Sequence, residues 1–305
     1  MSAGSEVLRV EALVRRYGRK RALDGIGFTV ERGDVFGFLG PNGAGKTTTI
    51  RIVLGLIRAT SGRVHLFGRP RRGAALDAMA RIGAVVEAPR FWANLSGREN
   101  LRALARLSGT PRARIDEVLE IVRLTEAASE AVRGYSQGMR QRLGIAQALL
   151  SEPEFVILDE PTNGLDPHGV REMRRLVTEL NRERGITFLV SSHQLSEMEE
   201  IANRVAILRR GRLVVTGEVA EILAGEPTVW RFLVSDPEAA IAAVAGAERS
   251  AGGRIRVRTA PGDVPDLVRA LVAAGIDVRE VSPERPGLEE FFLRATSNGE
   301  ADLGR

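Results

Sequence analysis

No cysteine occurs among the 305 residues, which excludes disulfides and thiolate metal sites. No stretch reaches the roughly 18 apolar residues of a membrane span. The N-terminal segment MSAGSEVLRVEALV also lacks the apolar core of a secretory signal. These absences imply the cytoplasm. Lysine is scarce: Lys20 and Lys46 are the only two, so the basic residues are almost all arginine. The net charge of +5 is a weak positive field, of a kind that favours nucleic acid or anionic lipid only when concentrated. The densest basic stretch, Arg58 and Arg63 with Arg69, Arg71 and Arg72, reads as a solvated face. The 44% hydrophobic and 27% charged residues are ordinary for a globular protein, and the length suits one large domain plus a small one.

The most informative segment is Gly40-Pro41-Asn42-Gly43-Ala44-Gly45-Lys46-Thr47-Thr48, a complete G-x-x-x-x-G-K-[ST] phosphate loop. It follows a strand-like run, Val35 to Leu39, and opens a helix-like run from Thr47 to Leu56. Glycine lets the backbone wrap a phosphate so that its N–H groups point inward. The helix start directs its positive dipole end at the same anion. Lys46 adds a point charge for the β- and γ-phosphates, and Thr47 offers a hydroxyl to Mg²⁺. The pattern in this context predicts binding of a nucleoside triphosphate.

Short strand patterns recur at Val7–Val14, Gly27–Val30, Val35–Leu39 and Gly62–Leu66. From about 96 to 150 the pattern becomes helical, beginning with a capping box, Ser96 and Glu99. Strand and helix alternate again through Phe155–Leu158, Val170–Leu180, Thr187–Ser191, Leu195–Ala202 and Val205–Leu208, with a hairpin turn at Arg209–Arg212. The sequence thus predicts an α/β domain over 6–225 with a helical subdomain at about 96–150. A small α+β domain is expected at 228–295. Its β-α-β-β-α-β order suggests a ferredoxin-like fold, and residues 296–305 are expected to form a flexible tail.

Phe155-Val-Ile-Leu-Asp159-Glu160 is an apolar strand ending in two carboxylates. Downstream of a phosphate loop, Asp159 fits the Walker B role of holding Mg²⁺, and Glu160 is placed to orient or deprotonate water. Tyr135-Ser136-Gln137-Gly138-Met139 precedes a helix, so Ser136 is either an anion-binding helix start or a plain N-cap. Gly164-Leu165-Asp166-Pro167 and Ser191-Ser192-His193 follow in that order.

Together these motifs resemble the nucleotide-binding domain of the ABC ATPase superfamily, a P-loop NTPase fold, over roughly residues 6–225. The resemblance implies ATP and Mg²⁺ as cofactors and assigns roles by position. Tyr17 resembles the aromatic that stacks on adenine, although a strand-end tyrosine is the other reading. Asp166 resembles the residue at the dimer seam and is also a helix N-cap before Pro167. His193 resembles the switch histidine that contacts the γ-phosphate. Thr47, Glu87 and Asp159 are the implied metal ligands, and Lys46, Glu160 and His193 the implied catalytic group. Ser136 and Gly138 would complete the site of an opposite protomer in an ATP-dependent homodimer.

Several positions depart from the family pattern. Glu87 stands where many relatives carry a glutamine. A hard cation accepts a charged oxygen there, and the substitution resembles a branch of exporters linked to bacitracin and anthracycline resistance. Tyr135, Gln137 and Met139 replace the usual leucine, glycine and glutamine. Phe91-Trp92 lies where relatives form a groove for a membrane partner, with core packing as the competing reading. The resemblance implies the ATPase subunit of an ABC-2-like exporter of a drug or lipid-like compound. It would sit on the inner face of the membrane through a separate transmembrane permease subunit. The alternative is a soluble ABC ATPase acting on nucleic acid or ribosomes. Such proteins usually carry tandem ATPase domains or a long coiled coil, and neither is present, so direct nucleic-acid binding is not expected.

Overall fold

Three strands, Val35–Leu39, Phe155–Asp159 and Thr187–Ser192, are buried at every residue. Continuous apolar runs of this kind belong to a sheet covered on both faces. In a computed structural model of the chain, which describes residues 6–71, 75–224, 228–284 and 287–300, they form the middle of a six-stranded sheet. Its order is Arg212–Glu218, Arg204–Arg209, Val35–Leu39, Thr187–Ser192, Phe155–Asp159, Ile82–Val85. Only the outermost pair, Arg204–Arg209 with Arg212–Glu218, is antiparallel. Its two-residue turn has Arg210 at φ 49° and Gly211 at φ 80°, the positive pair that matches strand twist in tight hairpins.

The strands Glu6–Tyr17, Lys20–Glu31, Ser61–Leu66 and Arg69–Pro70 form a separate antiparallel sheet. The first two are longer than the expected Val7–Val14 and Gly27–Val30, because pairing carries polar residues into the ladder as far as Tyr17 opposite Lys20. The two sheets meet through aromatic rings. Phe28 of the antiparallel sheet lies 5.5 Å from Phe36 and 4.9 Å from Phe38 of the parallel sheet. All three belong to one core cluster.

The phosphate-loop helix spans Lys46–Val53 and stops three residues short of the expected Leu56. Gly55 takes φ 78° there and the chain turns. The helical segment contains Gly97–Ser108, Arg112–Ile121 and Gln137–Leu149, with short 3-10 turns between the last two. The Ser96–Glu99 capping box is formed as expected. Buried Asn100 fixes the loop before it, accepting from the Trp92 N–H at 2.9 Å and donating to the Trp92 and Ser96 carbonyls.

The chain clusters into two compact units, Met1–Glu218 and Val219–Arg305. The short helix Val219–Ala224 therefore groups with the second unit, whereas the sequence placed it in the first. The second unit has an antiparallel sheet ordered Ala247–Ser250, Arg254–Arg258, Val229–Val234, Val278–Glu284. With the helices Pro237–Ala243 and Val264–Ala273 between strands, the connectivity is β-α-β-β-α-β. A final helix runs from Leu288 to Glu300, so residues 296–300 are helical rather than tail. Propagating a nucleated helix adds one hydrogen bond per residue fixed, which carries it past the last apolar position. Residues 301–305 lie outside the described residues.

The start of the edge strand Ile82–Val85 is held by charge. Arg81 donates to Glu154 through Nη2 at 2.8 Å, and Arg32 donates to the same carboxylate at 2.7 Å. The Arg81 hydrogen bond, joined by that of Arg32 against a smaller effect of burial, lowers the Glu154 pKa from 4.5 to about 2. A depressed carboxylate stabilises the fold fully above its unfolded pKa, and that contribution is lost as pH falls through the folded value. Glu154→Gln is expected to lower the urea midpoint at pH 7, with the difference from the parent shrinking between pH 4.5 and about 2. A difference that stays constant across that window in a pH series of urea melts would show that the charge is not what Glu154 contributes.

Candidate functional site

The parallel register aligns Leu39 with Ser192 and Asp159 with Ser191. The phosphate loop, Glu160 and His193 therefore leave three adjacent strands at the same edge, the carboxyl end where ligands of α/β sheets bind. Gly40 has φ 146°, and a Cβ there would lie 2.2 Å from the Leu208 carbonyl oxygen. Only glycine permits that approach, and the loop's curvature depends on it.

Lys46 is 5% exposed. Its Nζ donates to the Gly40 carbonyl at 2.6 Å and lies 3.0 Å from Glu160 Oε1. The other carboxylate oxygen, Oε2, lies 2.7 Å from His193 Nδ1. An ionised carboxylate only accepts, so Nδ1 carries the proton and Nε2 faces away from Glu160. Burial alone would raise the Glu160 pKa, but the hydrogen bonds and charges of His193 and Lys46 outweigh it and hold the carboxyl below its usual range. Glu160 itself has φ 51°, a strained conformation for a residue with a Cβ and one concentrated at functional sites.

Asp159 is 4% exposed. The Ser191 hydroxyl donates to Asp159 Oδ1 at 2.6 Å and accepts from the Glu160 N–H at 2.9 Å. One buried serine thus holds the Asp159 carboxylate and the backbone of Glu160. Sequence reasoning assigned it no role, since it is one of two adjacent serines and only the strand register selects it.

A cavity of about 620 Å³ opens beside this group, lined by Tyr17, Asn42, Gly43, Gly45, Lys46, Thr47, Thr48 and Glu160. Lys20, Arg21, Asn163 and Arg210 also line it and were not anticipated; both lysines of the chain border this one cavity. Tyr17 is 45% exposed at its rim, with the Arg15 guanidinium 4.4 Å from its ring centre. Pro41 and Ala44 complete the loop, where the Ala44 N–H donates to the Pro41 carbonyl at 3.1 Å.

Gly40, Pro41, Ala44, Asp159 and His193 stand beside the lining residues rather than among them, and four further expected residues lie away from the group. Glu87 pairs instead with Arg51, near the far end of the phosphate-loop helix, and takes φ 61°. Ser136 caps its helix by accepting from the Met139 N–H at 3.2 Å, and Gly138 lies in the first turn. Asp166 caps the helix Pro167–Arg184, accepting from the Gly169 N–H at 2.8 Å. The unusual signature residues make contacts within the chain. Tyr135 is buried and donates to the Ala127 carbonyl at 2.6 Å, and Gln137 Nε2 donates to the Asn163 carbonyl at 2.9 Å. Trp92 is 55% exposed.

Residues 23–163 match the family model described as ABC transporter. The bacitracin transport ATP-binding protein BcrA of Bacillus licheniformis is 41% identical over 302 residues, spanning 97% of this chain and 99% of that protein. The chain belongs to the ABC transporter ATP-binding family. The daunorubicin resistance ATP-binding protein DrrA3 of Streptomyces coeruleorubidus is 37% identical, covering 95% of this chain and 96% of its own length. Among solved structures, the ABC transporter component cbiO1 from Clostridium perfringens superposes with a TM-score of 0.67 at 30% identity, over 72% of this chain and 92% of that one. This ABC ATPase binds nucleotide and hydrolyses ATP.

Ser191→Ala would remove the hydroxyl donor to Asp159 Oδ1 and leave the Glu160 N–H only the Ser191 carbonyl at 3.2 Å, at an expected cost of about 1–3 kcal/mol in denaturation. Because Ser191 acts by positioning Asp159 and the backbone of Glu160, the change should lower kcat with KM for ATP little changed. Unaltered turnover in steady-state assays would reduce Ser191 to a packing residue.

Proposed function

We propose that this ATPase is the energy-supplying subunit of an exporter that moves a drug or lipid-like compound through a separate membrane subunit. The observation that carries this reading is full-length similarity to bacitracin transport and daunorubicin resistance proteins, which extends through the C-terminal unit. No helix among the described residues is long and apolar enough to cross a membrane. The exposed Trp92 stands in the segment expected to meet the membrane partner.

The residues at the sheet edge fit Mg-ATP. The loop N–H groups and Lys46 hold the phosphates, and Tyr17 receives the base. Thr47 and Asp159 would hold Mg²⁺, whose chemistry is to neutralise phosphate charge. Among the described residues no group of three or more His, Asp or Glu is placed to hold a metal ion. That donor set suits a cation that keeps phosphate and water ligands and uses few carboxylates. Glu160, kept ionised by its neighbours, takes the proton of the attacking water, and His193 Nε2 is available to the γ-phosphate. Lys46 turns from Glu160 to the triphosphate as nucleotide arrives, which frees Oε1 for the water.

Ser136 and Gly138 lie on the chain's own helical segment, outside its cavity lining. In an ATP-bound homodimer they complete the partner's site, with Asp166 at the seam. Glu87 leaves Arg51 to sense the metal, so the Arg51–Glu87 pair sets how readily that change occurs.

Glu160→Gln should retain ATP binding, lose about 10²–10⁴ in turnover and dimerise with ATP in size-exclusion runs. Captured from detergent-solubilised native membranes with ATP, it should bring down one polytopic membrane protein. Ribosomes or nucleic acid in its place would overturn the exporter reading, and a persistent monomer with its partner present would remove the dimer. Glu87→Gln is expected to change turnover and coupled transport; if both are unchanged, Glu87 has no part in sensing Mg-ATP.

A further inference from the structure

The first unit has a second and larger cavity, of about 700 Å³, that shares no lining residue with the nucleotide cavity. It lies beyond the other end of the helix Lys46–Val53, about 12 Å away along a helix of that length. Buried Leu13, Ile52 and Val64 form its apolar part. Arg58, Arg63, Arg71 and His65 form its polar part, and no carboxylate lines it.

Arginines on a merely solvated face need no common cavity. Here three converge, and none of them forms an ion pair among the described residues. They do not serve as helix caps either, because the Ile50, Arg51 and Ile52 carbonyls accept from the N–H groups of Leu54, Gly55, Leu56 and Ile57. The walls are fixed: the Arg58 carbonyl accepts from Arg15 Nη1 at 2.8 Å, and the Arg71 N–H donates to the Val64 carbonyl at 2.9 Å. Arg71 lies so close to Gly55 that a Cβ there would be 2.8 Å from its Nη1.

Two polar atoms remain unmet. His65 is 9% exposed, and its Nδ1 is buried without a hydrogen-bond partner, as is Arg71 Nε. Buried polar atoms nearly always have a partner, so this wall of the cavity is not fully satisfied by the chain's own groups. We propose that this cavity binds the phosphate or diphosphate group of an organic ligand, either a free small molecule or a lipid headgroup. Guanidinium forks match phosphate oxygens in pairs, the His65 imidazole adds a further polar contact, and the apolar part accepts the attached carbon framework. The volume is within the usual ligand range of roughly 300–1,000 Å³.

The test uses the full chain with its nucleotide cavity filled by a saturating non-hydrolysable ATP analogue and Mg²⁺. Pyrophosphate is titrated calorimetrically, and flotation is measured with phosphatidylcholine vesicles with and without phosphatidic acid. Saturable pyrophosphate binding is expected, weakened about tenfold or more by Arg58→Gln with Arg63→Gln, while ATP turnover is unchanged. Both side chains are exposed, so folding should be preserved; if the double variant misfolds, the two single variants are read instead. Flotation that needs phosphatidic acid and both arginines assigns the ligand to lipid, whereas pyrophosphate binding without flotation assigns it to a free phosphorylated molecule. Neither form of binding, or equal weakening by Arg106→Gln with Arg112→Gln outside the cavity, overturns the proposal.

Discussion

A lysine ammonium that is 5% exposed must be compensated, and much of the nucleotide site follows from that requirement. The Gly40 carbonyl and the Glu160 carboxylate supply the compensation. Gly40 reaches it because its backbone lies against Leu208 of the neighbouring strand, and Glu160 because Ser191 fixes its N–H. The negative charge on Glu160 then needs His193 as well, which closes a chain of contacts across three strand ends. In the proposed mechanism, an arriving triphosphate competes for the same ammonium, so that ligand binding and the release of Glu160 for chemistry become one electrostatic exchange.

The parts of this arrangement that were legible in the sequence are those whose chemistry is local. The loop at 40–48 declares itself by glycine and lysine spacing, Asp159 and Glu160 by standing at the end of an apolar strand, and the helix at Asp166 by its cap and proline. Ser191 was illegible because its role comes from being opposite Asp159 in a parallel ladder, and register between strands far apart in the chain leaves no mark in either segment. The division of the early strands into two sheets was hidden for the same reason. Val35–Leu39 looks like its neighbours but is buried on both faces, while they pair antiparallel in another layer.

The substitutions at Tyr135 and Gln137 also gain a physical account. Tyr135 fills the space above Gly97, where a Cβ would come within 2.4 Å of its hydroxyl, and Gln137 reaches the Asn163 carbonyl. Asn163 also borders the nucleotide cavity. A glycine at 137 would break that link, so the departure from the family pattern ties the start of the signature helix to the turn before Asp166. The arginine-rich stretch changes meaning in a similar way: a composition that suggests a solvated face supplies, once folded, Arg58, Arg63 and Arg71 to the wall of one cavity.

Among the described residues, the central strand Val35–Leu39 pairs with Thr187–Ser192 and Arg204–Arg209 alone. On the ribosome it emerges 148 residues (187 minus 39) before the first of them. At about 5–20 residues per second, this buried strand waits on the order of 7–30 s for a strand to pair with. The Leu208 carbonyl that lies against Gly40 of the phosphate loop is made later still. Until then the strand's cover comes from the antiparallel sheet made around it, where Phe28 packs against Phe36 and Phe38.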